Sequence, residues 1–385
     1  MSSAPAGGSP GAQASALPSD GTRLDRLRAL LTREELDALL VIAPPNRRWL
    51  AGFTGSAGTL LISADAALLA TDFRYWEQAA AQAPAFELVP EGDRGSGLPI
   101  ELLAGLGGSA VGFEPRALSV AAHAEWSDAI EALPAAERPR LVAAPGLVEE
   151  LRLVKEPAEV EAIARAAALT DACTAHAEAL AQPGTTEREL AWALQRYAME
   201  HGAERLAFDS IVAAGPHGAL PHAVPRDVAL ERGQPVVLDL GVVVGGYCSD
   251  LTRTVVVGGP SEADETFRRI YDVVLSAQTM AIERIEAGMT GAQAHSIAAA
   301  VIEEAGYGDR FGHGLGHGVG LQVHEAPRLR PGADHVLADG QVMTVEPGVY
   351  LPGWGGVRIE DMCVMEDGRL RPLSRAAKLG AGAHD

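Results

Sequence analysis

A chain of 385 residues is long enough for two domains with a sizeable core. Its formal net charge of −20 argues against nucleic acid as a partner, because a phosphate backbone calls for a basic patch. No stretch approaches the ~20 uninterrupted apolar residues of a membrane span, and three cysteines (Cys173, Cys248, Cys363) without a CxxC fit a reducing cytoplasm rather than a disulfide framework.

Residues 1–20 are rich in Ser, Ala, Gly and Pro without the basic start and apolar core of a secretory signal, and are expected to form a disordered tail. From there to residue 147 helices and strands succeed one another. RLDRLRALLTREELDALLV reads as helix into strand, GTLLIS and AALLATD as strands, YWEQAAAQA as helix, FELVP as strand, IELLAGLGG as helix and SAVGFEP as strand. That succession predicts an α/β layer domain over 21–147. A long helical stretch follows, and Pro157 marks where one helix stops and the next starts, so the domain boundary falls near 145–157. The second domain, 148–380, reads as α+β. The basic residues are nearly all arginine, with lysine only at Lys155 and Lys378, which reads as compositional bias.

The second domain carries an internal duplication. PGTTERELAWALQRYAMEHGA matches AGMTGAQAHSIAAAVIEEAGY, with Gly184/Gly288 and Gly202/Gly306 each offset by 104. ERGQPVVLDLG matches ADGQVMTVEPG, with Gly233/Gly340, Gln234/Gln341 and Asp239/Glu346 each offset by 107. The period is too long for a solenoid, so the domain is a duplicated half arranged about a pseudo-twofold. Each copy delivers two acids on a strand hairpin: Asp239 and Asp250, 11 apart, then Glu346 and Glu360, 14 apart. Two like charges ~4 Å apart repel by ~4 kcal/mol at an effective dielectric of about 20, so four converging acids call for metal ions. Between them lies FGHGLGHGVGLQVH with His313, His317 and His324; its glycines let the backbone pack closely around His317. Cys248, two residues before Asp250, reads as small packing material, and His217 as a surface residue.

DLG…SDLTRT, HGLGHGVGLQVHEAP, TVEPGVY and GGVRIED, in that order, resemble the pita-bread metallopeptidases, in particular the proline-specific branch of Xaa-Pro dipeptidases and aminopeptidases P. The resemblance covers roughly 150–380; FTGSAGTLLI and TDFRYWEQA resemble that family's N-terminal domain more weakly. It implies an α/β N-terminal domain before a pita-bread domain, and five metal ligands: Asp239, Asp250, His317, Glu346 and Glu360. Asp250 and Glu360 would bridge two divalent ions, which lower the pKa of a bound water and polarise the scissile carbonyl. Oxygen-rich coordination with one imidazole suits Mn²⁺ or Co²⁺ and also admits Zn²⁺. By the same resemblance Glu346 shuttles the proton, and His222 and His324 contact the substrate. His313 orients the site or the substrate.

Arg358, two before Glu360, reads as a group on the same strand face that steadies the carboxylates. Arg328, four past His324, resembles an arginine that prolidases carry at this point, which favours a dipeptidase holding a free carboxylate; a cation such as Arg47 or Arg48 from a second subunit is the alternative. The expectation is thus an enzyme acting on small proline-containing peptides, a homodimer in the cytoplasm, with longer peptides as the alternative substrate. A metal-free creatinase-like hydrolase and a non-catalytic binding module on the same fold are set aside because the ligand set is complete.

Overall fold

The computed structural model describes residues 22–91 and 99–379, so the expected tail over 1–20 lies outside the described residues. Contacts divide the chain into two units, Met1–Leu151 and Arg152–Asp385. In the first unit, helix α1 (Arg23–Arg33) starts at a capping box in which Thr22 and Asp25 satisfy each other's backbone N–H groups. It leads into β1 (Ala38–Val41), then α2 (Pro44–Ala51), β2 (Thr59–Ser63), β3 (Ala67–Thr71), α3 (Trp76–Gln82), β4 (Glu87–Pro90), β5 (Ala110–Phe113), α4 (Val120–Glu131) and β6 (Arg140–Ala143). These strands form one mixed sheet in the order β4-β3-β2-β1-β5-β6. Every residue of β1 is buried, as expected for a central strand covered on both faces.

One local reading differs from the sequence expectation, and one stretch without a reading proves helical. IELLAGLGG makes only a short 3-10 turn over Ile100–Leu103, because Gly105 and Gly108 take positive φ and end it. PPNRRWLA, by contrast, is helical: Pro44 and Pro45 occupy the first turn, where no N–H is required. Arg47 on that helix is buried and donates to the carbonyls of Gly55 and Gly58, so it is committed within its own unit and is no free cation for a neighbouring site.

Helix α5 (Leu147–Leu153) spans the division between the units, and α6 (Pro157–Leu180) begins with Pro157 in its first turn. Then come α7 (Glu187–Glu200), β7 (Arg205–Leu206), β8 (Ile211–Ala214), β9 (Pro235–Leu240), β10 (Val242–Val244), β11 (Tyr247–Cys248) and β12 (Leu251–Val256). The second copy supplies α8 (Glu265–Arg284), α9 (Gly291–Glu304), β13 (Gly316–Gly318), β14 (Glu325–Leu329), β15 (Val342–Val345), β16 (Gly348–Leu351), β17 (Gly355–Arg358), β18 (Asp361–Glu366) and β19 (Arg369–Pro372). The duplication is visible at the helix starts: α7 and α9 both begin in capping boxes, Thr186 with Glu189 and Thr290 with Gln293, each pair offset by 104. Helices α6 and α7 cover β8, β9 and β12 through Ala166, Leu190, Leu194, Val236 and Leu238. Helices α8 and α9 cover β15 and β18 through Ile270, Val274, Ala298, Met343 and Cys363.

The acid hairpins are longer-range than a single turn. Between β9 and β12 the chain inserts the β10–β11 hairpin, and between β15 and β18 the β16–β17 hairpin. The halves meet along β12, where Thr254 Oγ donates to Arg358 O and accepts from Arg358 N, while Glu360 N donates to Thr252 O.

Candidate metal centre

Three of the four acids sit just beyond the end of a strand, and Asp239 sits inside one. Val345 pairs with Asp361, so Glu346 and Glu360 are the next pair along the ladder; Asp239 pairs with Thr252, and Asp250 lies just before β12. His317 comes from the middle of β13, between two glycines whose lack of Cβ is required: a Cβ on Gly316 would lie 2.0 Å from Thr344 O, and one on Gly318 1.9 Å from Ala326 O. All five residues line one cleft of about 480 Å³, with Phe208, Ile211, Pro221, Val224 and Tyr350 as its apolar wall. His222, His313, His324, Arg328 and Arg358 line the same cleft, so every residue expected in the site is brought there.

Ligand-capable atoms of Asp250, His317 and Glu360 lie within 4.8 Å of one another, and all three residues are buried. His317 Nδ1 is 3.1 Å from Gly318 O, an acceptor only, so Nδ1 carries the proton. The lone pair of Nε2 then faces Glu346 Oε1 at 3.2 Å and Asp250 Oδ2 at 3.5 Å. Asp239 Oδ1 and Glu360 Oε1 are buried with no hydrogen-bond partner among the described residues. Two orphaned carboxylate oxygens in the cleft that also holds this imidazole lone pair fit a cation and not another hydrogen-bond donor.

The electrostatics carry the same signature. Burial, reinforced by the neighbouring acids, pushes the carboxyls of Asp250 and Glu360 well above the ordinary range. Burial also raises Asp239 against the pull of Arg358. Glu346 goes the other way: burial would raise it, but the neighbouring His317, with His313 and Arg358 behind it, holds it down to about 2. Like charges this close cannot all ionise without a compensating cation.

Arg358 is tied in at every nitrogen. It donates to Asp239 Oδ2 at 2.6 Å, to Thr252 Oγ at 3.0 Å and to Tyr350 Oη at 2.8 Å, while Thr252 in turn donates to Glu360 Oε2 at 2.7 Å. The arginine does not share a strand with Glu360, as its spacing suggested, because β17 ends at Arg358 and β18 begins at Asp361. It reaches Glu360 through Thr252 instead. Tyr350 also meets His313, whose Nε2 lies 2.9 Å from the Tyr350 hydroxyl and whose Nδ1 lies 2.8 Å from Gly314 O. The His324 ring stands 4.3 Å from that of His317, and burial, with His317 and Arg328 beside it, pushes its imidazole down to about 4.

Three residues differ from their sequence reading or escaped it. His217 is no surface residue: its side chain is 9% exposed and lies 3.0 Å from the fully buried Glu187. Glu187 also accepts from Ala214 N, Arg226 N and the Arg226 guanidinium, so one buried carboxylate pins both ends of the loop that carries His222. Thr252 was legible only as the cross-strand neighbour of Asp239. Cys248, by contrast, is packing material as expected: it lies buried on β11 with its Sγ 3.8 Å from Leu321 O, and burial pushes its thiol up to about 11.

Residues 161–367 match the model of metallopeptidase family M24, and residues 23–154 that of the creatinase/prolidase N-terminal domain. The chain belongs to metallopeptidase family M24. It is 39% identical to an uncharacterized peptidase, YqhT, of Bacillus subtilis over 359 residues, 92% of this chain and 98% of the relative. Among solved structures it is similar to an Xaa-Pro dipeptidase from Bacillus anthracis, with a TM-score of 0.85 at 38% identity, covering 92% of this chain and 98% of that one. An X-Pro aminopeptidase from Thermotoga maritima matches with a TM-score of 0.82 at 33% identity, covering 92% and 98%. The expected architecture, an α/β N-terminal domain before a pita-bread catalytic domain, is therefore the fold of this peptidase. Family membership also implies divalent metal ions, in keeping with the Asp250, His317 and Glu360 cluster.

Proposed function

We propose that this peptidase hydrolyses the Xaa-Pro peptide bond as an Xaa-Pro dipeptidase, with two divalent metal ions held by Asp239, Asp250, His317, Glu346 and Glu360. The observation that carries the reading is the convergence of four carboxylates and one imidazole in a cleft with an apolar wall. The donor set suits Mn²⁺ or Co²⁺ and accommodates Zn²⁺. Bound ions would supply Lewis-acid activation of water and of the scissile carbonyl.

The chain's own residues do the rest. Glu346 is the proton carrier: its side chain is 17% exposed, against 12% for Asp239 and 7% for Asp250. Returning that proton to the leaving nitrogen completes general acid–base catalysis, typically worth ~10²–10⁴ in rate. His324 and His222 line the cleft as donors to the substrate carbonyl, and His313 is held between Gly314 O and Tyr350 to orient that wall. Proline offers no N–H, so recognition rests on fitting the ring, for which Phe208, Ile211 and Pro221 supply apolar surface. Arg328 lies on the same cleft with no hydrogen-bond partner among the described residues, which supports a role in holding the free carboxylate of a dipeptide.

Action on longer peptides, as an Xaa-Pro aminopeptidase, is the second reading, supported by the likeness to the Thermotoga maritima enzyme. A homodimer in the cytoplasm completes the proposal; the three free, buried cysteines accord with a reducing compartment. The deciding experiment offers Xaa-Pro and Xaa-Pro-Xaa peptides to chelated protein reconstituted with Mn²⁺, Co²⁺ or Zn²⁺. The proposal expects metal-dependent cleavage of dipeptides. Preference for tripeptides would move the assignment to the second reading, and full activity without metal would overturn the dinuclear chemistry.

A further inference from the structure

The chain has 31 basic residues, of which only Lys155 and Lys378 are lysines, and both are tied to buried carboxylates. Lys155 Nζ donates to Glu325 Oε1 at 2.7 Å, while Arg152 donates to Glu325 Oε2 at 2.5 Å. Lys378 Nζ lies 2.6 Å from Asp361 Oδ2, while Arg253 donates to Asp361 Oδ1 at 2.7 Å. Each acid is thus held by one arginine and one lysine, and each directly follows a cleft residue: Glu325 follows His324, and Asp361 follows Glu360. In a chain that otherwise uses arginine, a lysine at these points is a matter of shape. An ammonium is a compact point charge, whereas a guanidinium is a broad planar fork. Compositional bias explains the arginines but not the position of the two exceptions.

We propose that Arg152, Lys155 and Glu325 form a cradle that positions His324 over the metal centre. This inference rests on the reading of His324 as a substrate-facing donor. The side chains of Arg152, Lys155 and Glu325 are 4%, 1% and 9% exposed. Arg152 Nη2 also donates to Gln322 Oε1 at 3.3 Å, and Gln322 N donates to Glu325 Oε2 at 3.4 Å. The backbone is therefore anchored on both sides of His324, at Gln322 and at Glu325. The cradle is itself fixed to the turn that leads into β15, since Lys155 N donates to Gly340 O at 2.8 Å. Gly320 is part of the fit, because a Cβ there would lie 2.4 Å from Glu325 Oε1. His324 sits on a short loop between β13 and β14, so without this anchor its imidazole would sample positions away from the developing oxyanion. Residues that orient a catalytic group from behind typically matter by ~10–100-fold.

The test uses full-length, metal-loaded enzyme and an Xaa-Pro dipeptide, with Glu325→Gln and Lys155→Arg made alone and on top of His324→Ala. Glu325→Gln should lower kcat by roughly 10- to 100-fold with bound metal and KM near wild type. Lys155→Arg should show a smaller loss of the same kind, and it keeps the charge should Glu325→Gln fail to fold. In the His324→Ala background neither change should cost further activity, because residues acting as one unit are non-additive. Losses that multiply in the double variants, or a kcat untouched by both single changes, would overturn the cradle. Loss of metal in the single variants would overturn it too, by making the cluster a support of the metal site. His324→Ala without effect on kcat would refute the reading of His324 itself, and that outcome is separable because it shows in the single variant.

Discussion

Thr252→Val tests whether the two halves of the catalytic domain are wired together at the metal centre as the geometry indicates. Valine keeps the shape of the buried side chain and removes only the hydroxyl, which accepts from Arg358 Nε at 3.0 Å and donates to Glu360 Oε2 at 2.7 Å. Hydrogen bonds to charged groups are worth ~1.5–3 kcal/mol each, so losing both without replacement would cost ~3–6 kcal/mol. Arg358 keeps its bonds to Asp239 and Tyr350 and is not left isolated, which argues for the lower end. Glu360, in contrast, already has one orphaned oxygen and would then have two. About 3 kcal/mol corresponds to roughly 100-fold in an equilibrium constant. Metal titration of the chelated protein should show affinity weakened by ~10–100-fold, and urea unfolding of the chelated protein should show the remaining loss in stability. Wild-type values in both measurements would refute the reasoning, because Thr252 is the hydrogen-bond donor to Glu360 Oε2 among the described residues.

Asp250→Ala or Glu360→Ala should abolish binding of both ions, read by metal analysis of purified protein, whereas His324→Ala and His222→Ala should retain the ions and lose about 10²–10³ in kcat, the usual cost of an oxyanion donor. Arg328→Ala should raise KM for Xaa-Pro dipeptides by ~10- to 150-fold, from a charged hydrogen bond of ~1.5–3 kcal/mol, and affect tripeptides far less. Burial would raise the Glu187 carboxyl, but hydrogen bonds from Arg226, Ala214 N and His217 outweigh it and hold the group below its ordinary value. Its stabilisation is therefore complete above about pH 4.3 and lost as pH falls through the lower folded value, so Glu187→Gln should flatten the acid limb of a stability–pH profile measured by urea unfolding.

The sequence displayed the four converging acids because they lie on or directly beside strands with strong apolar patterning, and because duplication repeats their setting at a nearly fixed offset; His317 showed through its glycine-rich setting. It displayed the helices of the second domain for the same reason, with capping boxes at Thr186 and Thr290. Hidden were the contacts that periodicity does not encode. Thr252 and Glu360 are 108 residues apart, and Glu187 meets a loop 27 to 39 residues away. Arg358 was assigned the right neighbours through the wrong path, since a break between β17 and β18 replaces the continuous strand its spacing suggested. Arg47 looked like a free cation only because its acceptors are the backbone carbonyls of Gly55 and Gly58, which no side-chain pattern reveals.

An odd number of metal-facing residues from a duplicated fold needs an explanation, and the register supplies one. Gly318 pairs with Met343 in the second copy as Ala214 pairs with Val236 in the first. With Glu346 equivalent to Asp239, His317 therefore falls at the position of Ala213, a buried residue packed with Ile211 and Ala223. The first copy gives two acids, the second two acids and the imidazole. A similar divergence occurs at the helix starts. Glu187 is equivalent in offset to Gly291, where a Cβ would lie 2.0 Å from the Arg328 carbonyl. In the first copy a buried carboxylate fills this space and fastens the loop of His222; in the second the strand bearing Arg328 packs directly on the helix. The duplicated scaffold thus sets the four acids by near-symmetry. The differences fall on the elements that carry His222, His317 and Arg328, where ligand and substrate contacts require the two sides to differ.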